Sequence, residues 1–109
     1  MRALTLVTIF FACLMIAADK PGDKKASQRH EVSINSLQFK PVTLKIKAGD
    51  TVVWTNNDDR DHTVAAKDGS FKSDNLKPGE TFENTFAKSG KFAYGCSYHP
   101  RMKGEIDVE

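Results

Sequence analysis

Sulfur is scarce in this sequence, which has two cysteines and three methionines among 109 residues. So few cysteines exclude a disulfide-rich scaffold. The charges are nearly balanced, with 16 basic and 14 acidic residues, so composition gives no reason to expect nucleic acid or an anionic membrane surface as a partner. No segment has a convincing helical period, and the length is sufficient for one domain but not for two.

Residues 1–18 differ from the rest of the chain. A positive charge at Arg2 precedes an uncharged, mostly apolar run that ends in small residues. These features are typical of a secretory signal peptide, so we expect cleavage after Ala17 or Ala18 and a periplasmic or otherwise secreted protein. An uncleaved anchor is the alternative, but the run is shorter than the about 20 residues of a spanning helix. A lipoprotein attachment at Cys13 fits poorly, because apolar residues continue after it.

The remaining sequence predicts a polar tail and one β domain. Residues 19–29 are polar without an apolar period and are expected to be flexible. Residues 30–109 alternate short β-type runs with turn signals; Val42–Lys47, for example, places apolar and polar residues in strict alternation. About eight strands at this spacing predict an all-β, Greek-key sandwich.

Removal of residues 1–18 would leave Cys96 as the one cysteine and Met102 as the one methionine. A lone cysteine cannot form an internal disulfide, so Cys96 is buried and inert, reactive, or a metal ligand. Cys96, His99 and Met102 follow one another at intervals of three residues in a loop between two predicted strands. His62 lies at the mouth of another loop. Because loops at one end of a sandwich converge, His62 can meet the other three side chains.

This donor set favours copper. Two imidazoles and a thiolate with a weak thioether suit both oxidation states of copper, whereas structural zinc prefers four strong nitrogen or sulfur donors. Each residue also has an ordinary explanation, with Cys96 and Met102 as core residues and His62 as a polar loop residue. The conjunction of the four favours a metal site, and a closed site with a weak fourth donor favours electron transfer. His30, at the edge of the predicted tail, receives no role.

With these residues in view, the sequence resembles the cupredoxins, the small blue copper proteins, and most closely the amicyanin and plastocyanin group. The resemblance covers about residues 30–109. Its main motifs are Gly49-Asp50-Thr51-Val52-Val53-Trp54-Thr55-Asn56, His62-Thr63-Val64, Leu76-Lys77-Pro78-Gly79-Glu80 and Gly90 to Cys96. The short spacing from Cys96 to Met102 is similar to that of amicyanin, whereas plastocyanins usually space histidine and methionine more widely.

The resemblance implies a type 1 copper held by Cys96, His62 and His99, with Met102 as the axial ligand. It also implies that the Thr63 N–H donates to the thiolate, and Thr63 Oγ1 could replace the bracing side chain of the asparagine often found there. Tyr98 stands where amicyanin-type loops often have proline, so its N–H could give the sulfur a second hydrogen bond. Tyr98, His99, Pro100 and Arg101 would form the surface at which a partner docks.

The function expected from these implications is single-electron transport between redox proteins, without catalysis. The donor would be a protein such as a dehydrogenase and the acceptor one such as a cytochrome. We expect a monomer without stable membrane insertion and without nucleic acid. Two alternatives stay open: a copper carrier or buffer that uses the same ligands, and a metal-free β-sandwich that serves as an interaction module.

Overall fold

The computed structural model describes residues 27–109, which form two four-stranded β-sheets. This part of the chain contains eight strands and no helix. The strands are β1 (Arg29–Asn35), β2 (Gln38–Lys40), β3 (Thr43–Ile46), β4 (Thr51–Asn56), β5 (Ala65–Ala66), β6 (Thr81–Thr85), β7 (Gly90–Gly95) and β8 (Lys103–Val108). The predicted all-β sandwich is confirmed for these residues.

The start of the domain differs slightly from the sequence-based boundary. Arg29 was expected in the tail, but it opens β1, and the Gln28 carbonyl accepts a hydrogen bond from the Thr51 N–H at 2.9 Å. This backbone pairing brings both residues into the fold. The predicted signal peptide (1–18), and the predicted tail as far as residue 26, lie outside the described residues. Between residues 27 and 109, no helix has the length and apolar character that a membrane crossing requires.

The strand order places two loops at one end of the sandwich. The first sheet has the order β2-β1-β4-β6 and the second has the order β3-β8-β7-β5. The pairs β1–β4 and β3–β8 are parallel, and the other pairs are antiparallel. The chain leaves β4 after Asn56 and leaves β7 after Gly95, and the loops that follow these strands carry all four predicted ligands.

Alternation along the strands builds an aromatic core between the sheets. On β4, Val52 and Trp54 are fully buried. The Trp54 ring lies 5.4 Å from Tyr94 in an edge-on arrangement and 5.7 Å from Phe71 in a stacked one. Such pairs add about 0.5–1.5 kcal/mol each beyond their buried area. A Cβ at position 104 would overlap the side chain of Tyr94, so only glycine at this position leaves room for that ring.

A cluster around Asp50 closes the end of the first sheet that lies opposite the ligand-carrying loops. One oxygen of Asp50, Oδ1, accepts the Gln28 N–H at 2.9 Å. The other, Oδ2, accepts the Lys47 N–H at 3.0 Å and lies 2.9 Å from His30 Nε2. The Gln28 N–H in the first place, and then His30, lower the pKa of Asp50 to about 2. His30, for which the sequence predicts no role, therefore helps to hold β1 in place.

Candidate metal centre

His62 is fixed by backbone pairing with Leu76, in the segment between β5 and β6. Its N–H donates to the Leu76 carbonyl at 3.0 Å, and its carbonyl accepts the Leu76 N–H at 2.8 Å. The side chain of His62 is completely buried. The loop therefore presents an imidazole at a defined position inside the end of the sandwich, where water is excluded.

Cys96 lies between two imidazoles. Its Sγ is 3.7 Å from His62 Nδ1 and 3.7 Å from His99 Nδ1. The three donor atoms all lie within 4.8 Å of one another. Cys96 is buried, whereas His99 is only partly buried. The structure thus brings together three side chains that the chain separates by up to 37 positions.

Met102 ends the loop that begins at Cys96. Its side chain is buried, and its N–H donates to the His99 carbonyl at 2.9 Å. This hydrogen bond closes a tight turn through Pro100 and Arg101 before β8 begins. The turn keeps the thioether residue at the same end of the sandwich as the three stronger donors.

The spacing of the donors fits a metal ion with three strong ligands in a plane. With a metal–sulfur bond of about 2.3 Å and a metal–nitrogen bond of about 2.0 Å, an angle of 120° places the two donor atoms about 3.7 Å apart. Both Cys96–histidine separations have this value. A thiolate and two imidazoles in a trigonal set, beside a weak thioether, are typical of copper electron-transfer sites.

Thr63 connects the two ligand loops. Its N–H lies 3.4 Å from Cys96 Sγ, and its hydroxyl lies 3.9 Å from the same atom. Its Oγ1 also accepts the Ser97 N–H at 2.8 Å. Backbone donors favour the charged form of a thiolate. Thr63 is therefore placed both to stabilise the sulfur and to brace the loop beyond it.

The far nitrogen of His62 has a partner that the sequence did not identify. Its Nε2 lies 3.0 Å from Asp58 Oδ2. The pKa of Asp58 is lowered, mainly by the hydrogen bond from the Leu37 N–H and then by His62. An ionised carboxylate only accepts hydrogen bonds, so Nε2 carries the proton and Nδ1 keeps its lone pair for a metal. In the sequence, the short separation of Asp58 and His62 is the one signal for this contact.

A buried asparagine fixes the conformation of the loop that carries Asp58 and His62. Asn56 is completely buried, and its amide nitrogen donates to the carbonyls of Arg60 and Leu76 at 2.8 and 2.9 Å. Its Oδ1 accepts the Asp58 N–H at 2.9 Å. The amide thus uses both donor hydrogens and its acceptor, and it holds the loop between Asn56 and His62 in one conformation.

The predicted docking residues lie at the surface of this end. Tyr98, Pro100 and Arg101 are exposed, and His99 is partly exposed. The Tyr98 hydroxyl donates to Asn75 Oδ1 at 2.6 Å. The expected second hydrogen bond to sulfur is not found: among the described residues, the N–H donor to Cys96 Sγ comes from Thr63 and not from Tyr98. Tyr98 is instead anchored to the neighbouring loop through its side chain.

Comparison with known proteins gives a consistent result. The family described as cupredoxin-like domain matches residues 5–108. Amicyanin-alpha of Methylorubrum extorquens is 33% identical over the whole of both chains. Amicyanin of Paracoccus versutus is 33% identical over 85% of this chain and 70% of its own.

A solved structure agrees with these relatives. The purple cupredoxin of Nitrosopumilus maritimus superposes with a TM-score of 0.69 at 30% identity, covering 73% of this chain and 99% of that one. The predicted resemblance to the cupredoxins, and to amicyanin among them, is confirmed. The chain belongs to the cupredoxin-like domain family.

Proposed function

We propose that this protein is a type 1 copper protein that carries single electrons between redox partners, with His62, Cys96, His99 and Met102 as ligands. The observation that carries the proposal is the placement of Cys96 Sγ at 3.7 Å from Nδ1 of each of the two histidines. This arrangement brings one thiolate and two imidazoles to a common point at a largely buried end of the sandwich. The amicyanin relatives support the same assignment.

Copper would supply the chemistry, a one-electron change between Cu(I) and Cu(II). The chain supplies a rigid and dry setting for that change. The backbone fixes His62, and the Thr63 N–H lies against the thiolate, so the ligands need to move little when the charge of the site changes. Burial of Cys96 and Met102 limits the access of water and substrates, which favours electron transport over catalysis.

We further propose that His99 is the exit for the electron. It is the only one of the four proposed ligands that is not buried, and exposed Tyr98, Pro100 and Arg101 surround it in sequence. A donor such as a dehydrogenase and an acceptor such as a cytochrome would dock on these residues. The basic and apolar start of the sequence supports a periplasmic or secreted location.

Copper titration tests the ligand set. We expect Cu(II) to give the purified protein an intense blue charge-transfer band with one ion per chain. Cys96→Ser should abolish this band, because the thiolate is its source. Ser97→Ala is the matched control and should keep the band, since Ser97 contributes its backbone N–H to Thr63. A wild-type protein that stays colourless with Cu(II) would leave a metal-free interaction module as the better description.

A second experiment separates electron transport from copper delivery. Nuclear magnetic resonance line broadening in mixtures of oxidised and reduced protein would measure the rate of electron exchange, and a competing chelator would report the loss of copper. An electron carrier should exchange electrons many times before it loses its ion. Faster transfer of the ion than of the electron would favour the copper carrier instead.

A further inference from the structure

Three aspartates lie in the loop before His62, but only one of them contacts a proposed ligand. Asp58 Oδ2 is 3.0 Å from His62 Nε2. Asp61 accepts a hydrogen bond from the Asn75 amide, and the Asp59 carboxylate is 90% exposed beside Arg60. The side chain of Asp58 is only 13% exposed. Asp58 therefore has a different environment from the two neighbouring carboxylates.

We propose that Asp58 is a positioning residue for the metal centre: it fixes the ring of His62 with Nδ1 towards the metal and lowers the reduction potential of the site. This inference rests on the proposed copper function. The geometry gives the reason for the first effect. A carboxylate that accepts the Nε2–H selects one tautomer and one ring orientation, and it makes the opposite nitrogen a better donor.

The second effect follows from charge. Cu(II) carries one more positive charge than Cu(I), so a nearby negative charge stabilises the oxidised form more than the reduced form. The site is buried, and electrostatic interactions there are screened less than at the surface. The same carboxylate should therefore raise the affinity for Cu(II) more than the affinity for Cu(I). A variant in which the ratio of the Cu(II) affinity to the Cu(I) affinity is smaller would have a higher reduction potential.

The carboxylate is itself held from the opposite side. Asp58 Oδ2 also accepts the Leu37 N–H at 3.0 Å, in the turn that joins β1 to β2. Ser36 and Leu37 both have a positive φ, 55° and 59°, which is an uncommon conformation for residues other than glycine. This turn directs the Leu37 N–H towards Asp58. The chain thus holds the carboxylate by a donor from the first hairpin, and the carboxylate holds the ligand.

Two variants of Asp58 and one matched control test the proposal. Asp58→Ala removes both the acceptor and the charge, whereas Asp58→Asn keeps an acceptor oxygen and removes the charge. Asp59→Asn removes the same charge one residue away, where no contact with His62 exists. For each purified protein, the affinities for Cu(I) and Cu(II), the reduction potential and the blue band would be measured.

We expect Asp58→Ala to lower the Cu(II) affinity by about 10–100-fold and the Cu(I) affinity by less. Each tenfold difference between the two losses raises the potential by about 59 mV. Asp58→Asn should raise the potential while keeping more of the affinity, since its amide oxygen can still accept the Nε2–H. Asp59→Asn should stay close to the wild type in affinity and potential.

A nuclear magnetic resonance measurement reports the positioning directly. In the diamagnetic Cu(I) protein, the Nε2–H of His62 should be protected and observable in wild type and in Asp58→Asn. It should exchange rapidly in Asp58→Ala. This measurement does not depend on the redox potential, and it still distinguishes the variants if Asp58→Ala binds copper poorly.

The outcomes separate the inference from the proposed function. A wild-type potential in both Asp58 variants, with the blue band intact, would overturn the role of Asp58 and leave the copper function standing. Equal losses of Cu(I) and Cu(II) affinity, without a change in potential, would show a purely structural role and would also overturn the inference. Absence of the blue band from the wild type would overturn the copper function. If Asp58→Ala does not fold, Asp58→Asn against Asp59→Asn decides the question.

Discussion

Two histidine–aspartate pairs lie at opposite ends of the first sheet. At one end, His62 Nε2 is 3.0 Å from Asp58 Oδ2; at the other, His30 Nε2 is 2.9 Å from Asp50 Oδ2. Because β1 and β4 run parallel, the beginnings of both strands lie at one end and their ends at the other. A strand of this length separates the two pairs by about 20 Å.

The two pairs contain the same atoms but have different surroundings. Asp50 also accepts the N–H groups of Gln28 and Lys47, so it joins the entry of β1 to the turn before β4. His62 is completely buried and directs its other nitrogen at Cys96. A histidine–aspartate pair is therefore not in itself a sign of a functional site. What lies at the second ring nitrogen decides whether the pair stabilises the fold or orients a ligand.

The largest contrast should come from removal of the two histidines. His62→Ala takes away one of the three strong donors, so we expect the blue band to disappear and the copper affinity to fall by orders of magnitude. His30→Ala should keep the band and its intensity. Absorption spectra at saturating copper, together with circular dichroism to verify folding, would show the difference. Equal spectra for the two variants would contradict the different roles assigned to the two histidine–aspartate pairs.

The second prediction concerns stability. Asp50→Ala leaves two backbone N–H groups and His30 without their acceptor, and hydrogen bonds to charged groups contribute about 1.5–3 kcal/mol each. We expect the free energy of unfolding of the metal-free protein to fall by about 3 kcal/mol in a denaturant titration. The refolded variant should still give the blue band when copper is added. Loss of the band from a folded Asp50→Ala protein would contradict the separation of roles.

Acid should weaken the Asp50 cluster in a defined range. The pKa of Asp50 is about 2 in the folded protein, below the ordinary aspartate value of 3.8. A lowered pKa in the folded state means that the contribution is complete above about pH 4 and is lost as the pH falls through about 2. The shift corresponds to roughly 2 kcal/mol. The free energy of unfolding of the metal-free protein should fall by this amount as the pH is lowered from about 4 to about 2.

Asp50→Asn is the control for the acid prediction. It should remove this share of the pH dependence and leave the part that belongs to other carboxylates, among them Asp58, whose pKa is also lowered. An unchanged acid dependence in Asp50→Asn would show that the cluster does not contribute as described.

The smallest predicted effect concerns the bond between the two ligand loops. Thr63→Val keeps the shape of the side chain but removes the oxygen that accepts the Ser97 N–H. We expect a loss of about 1 kcal/mol in the stability of the metal-free protein, with the backbone contact of residue 63 to sulfur retained. Denaturant titration would measure the loss of stability, and the position of the blue band would report the contact with sulfur. A loss of stability as large as that of Asp50→Ala would mean that the metal-binding end contributes as much to the stability of the fold as the Asp50 cluster does.

The sequence predicted the metal ligands better than the residues that hold those ligands in position. The spacing of Cys96, His99 and Met102 is local, and a loop between two strands imposes its geometry directly. His62 could be added because loops at one end of a sandwich converge. The contacts of Asp58 and Asn56 depend on the conformation of a loop rich in polar residues, where composition alone does not indicate which carboxylate is exposed.

The same limit applies to the fold. Alternation in Val42–Lys47 predicted β3, where Leu44 and Ile46 are the more buried residues. It could not predict β2, which has three residues and is too short to show a period. The pairing of His30 with Asp50 was also beyond sequence reasoning, because no pattern in the sequence indicates that the start of β1 lies beside the turn before β4. The turn at Ser36 and Leu37 was hidden as well, because neither residue belongs to the types that usually adopt a positive φ.

The grouping of Cys96, His99 and Met102 in one short loop has a consequence for copper and folding. An unfolded chain keeps these three residues close in sequence, so it can already bind copper with them. A ligand stabilises a fold only by the difference between its affinities for the folded and the unfolded chain. Copper should therefore protect this protein against unfolding by less than its affinity for the complete site would give. That difference comes from His62 and from the rigid arrangement that the sandwich imposes on the loop.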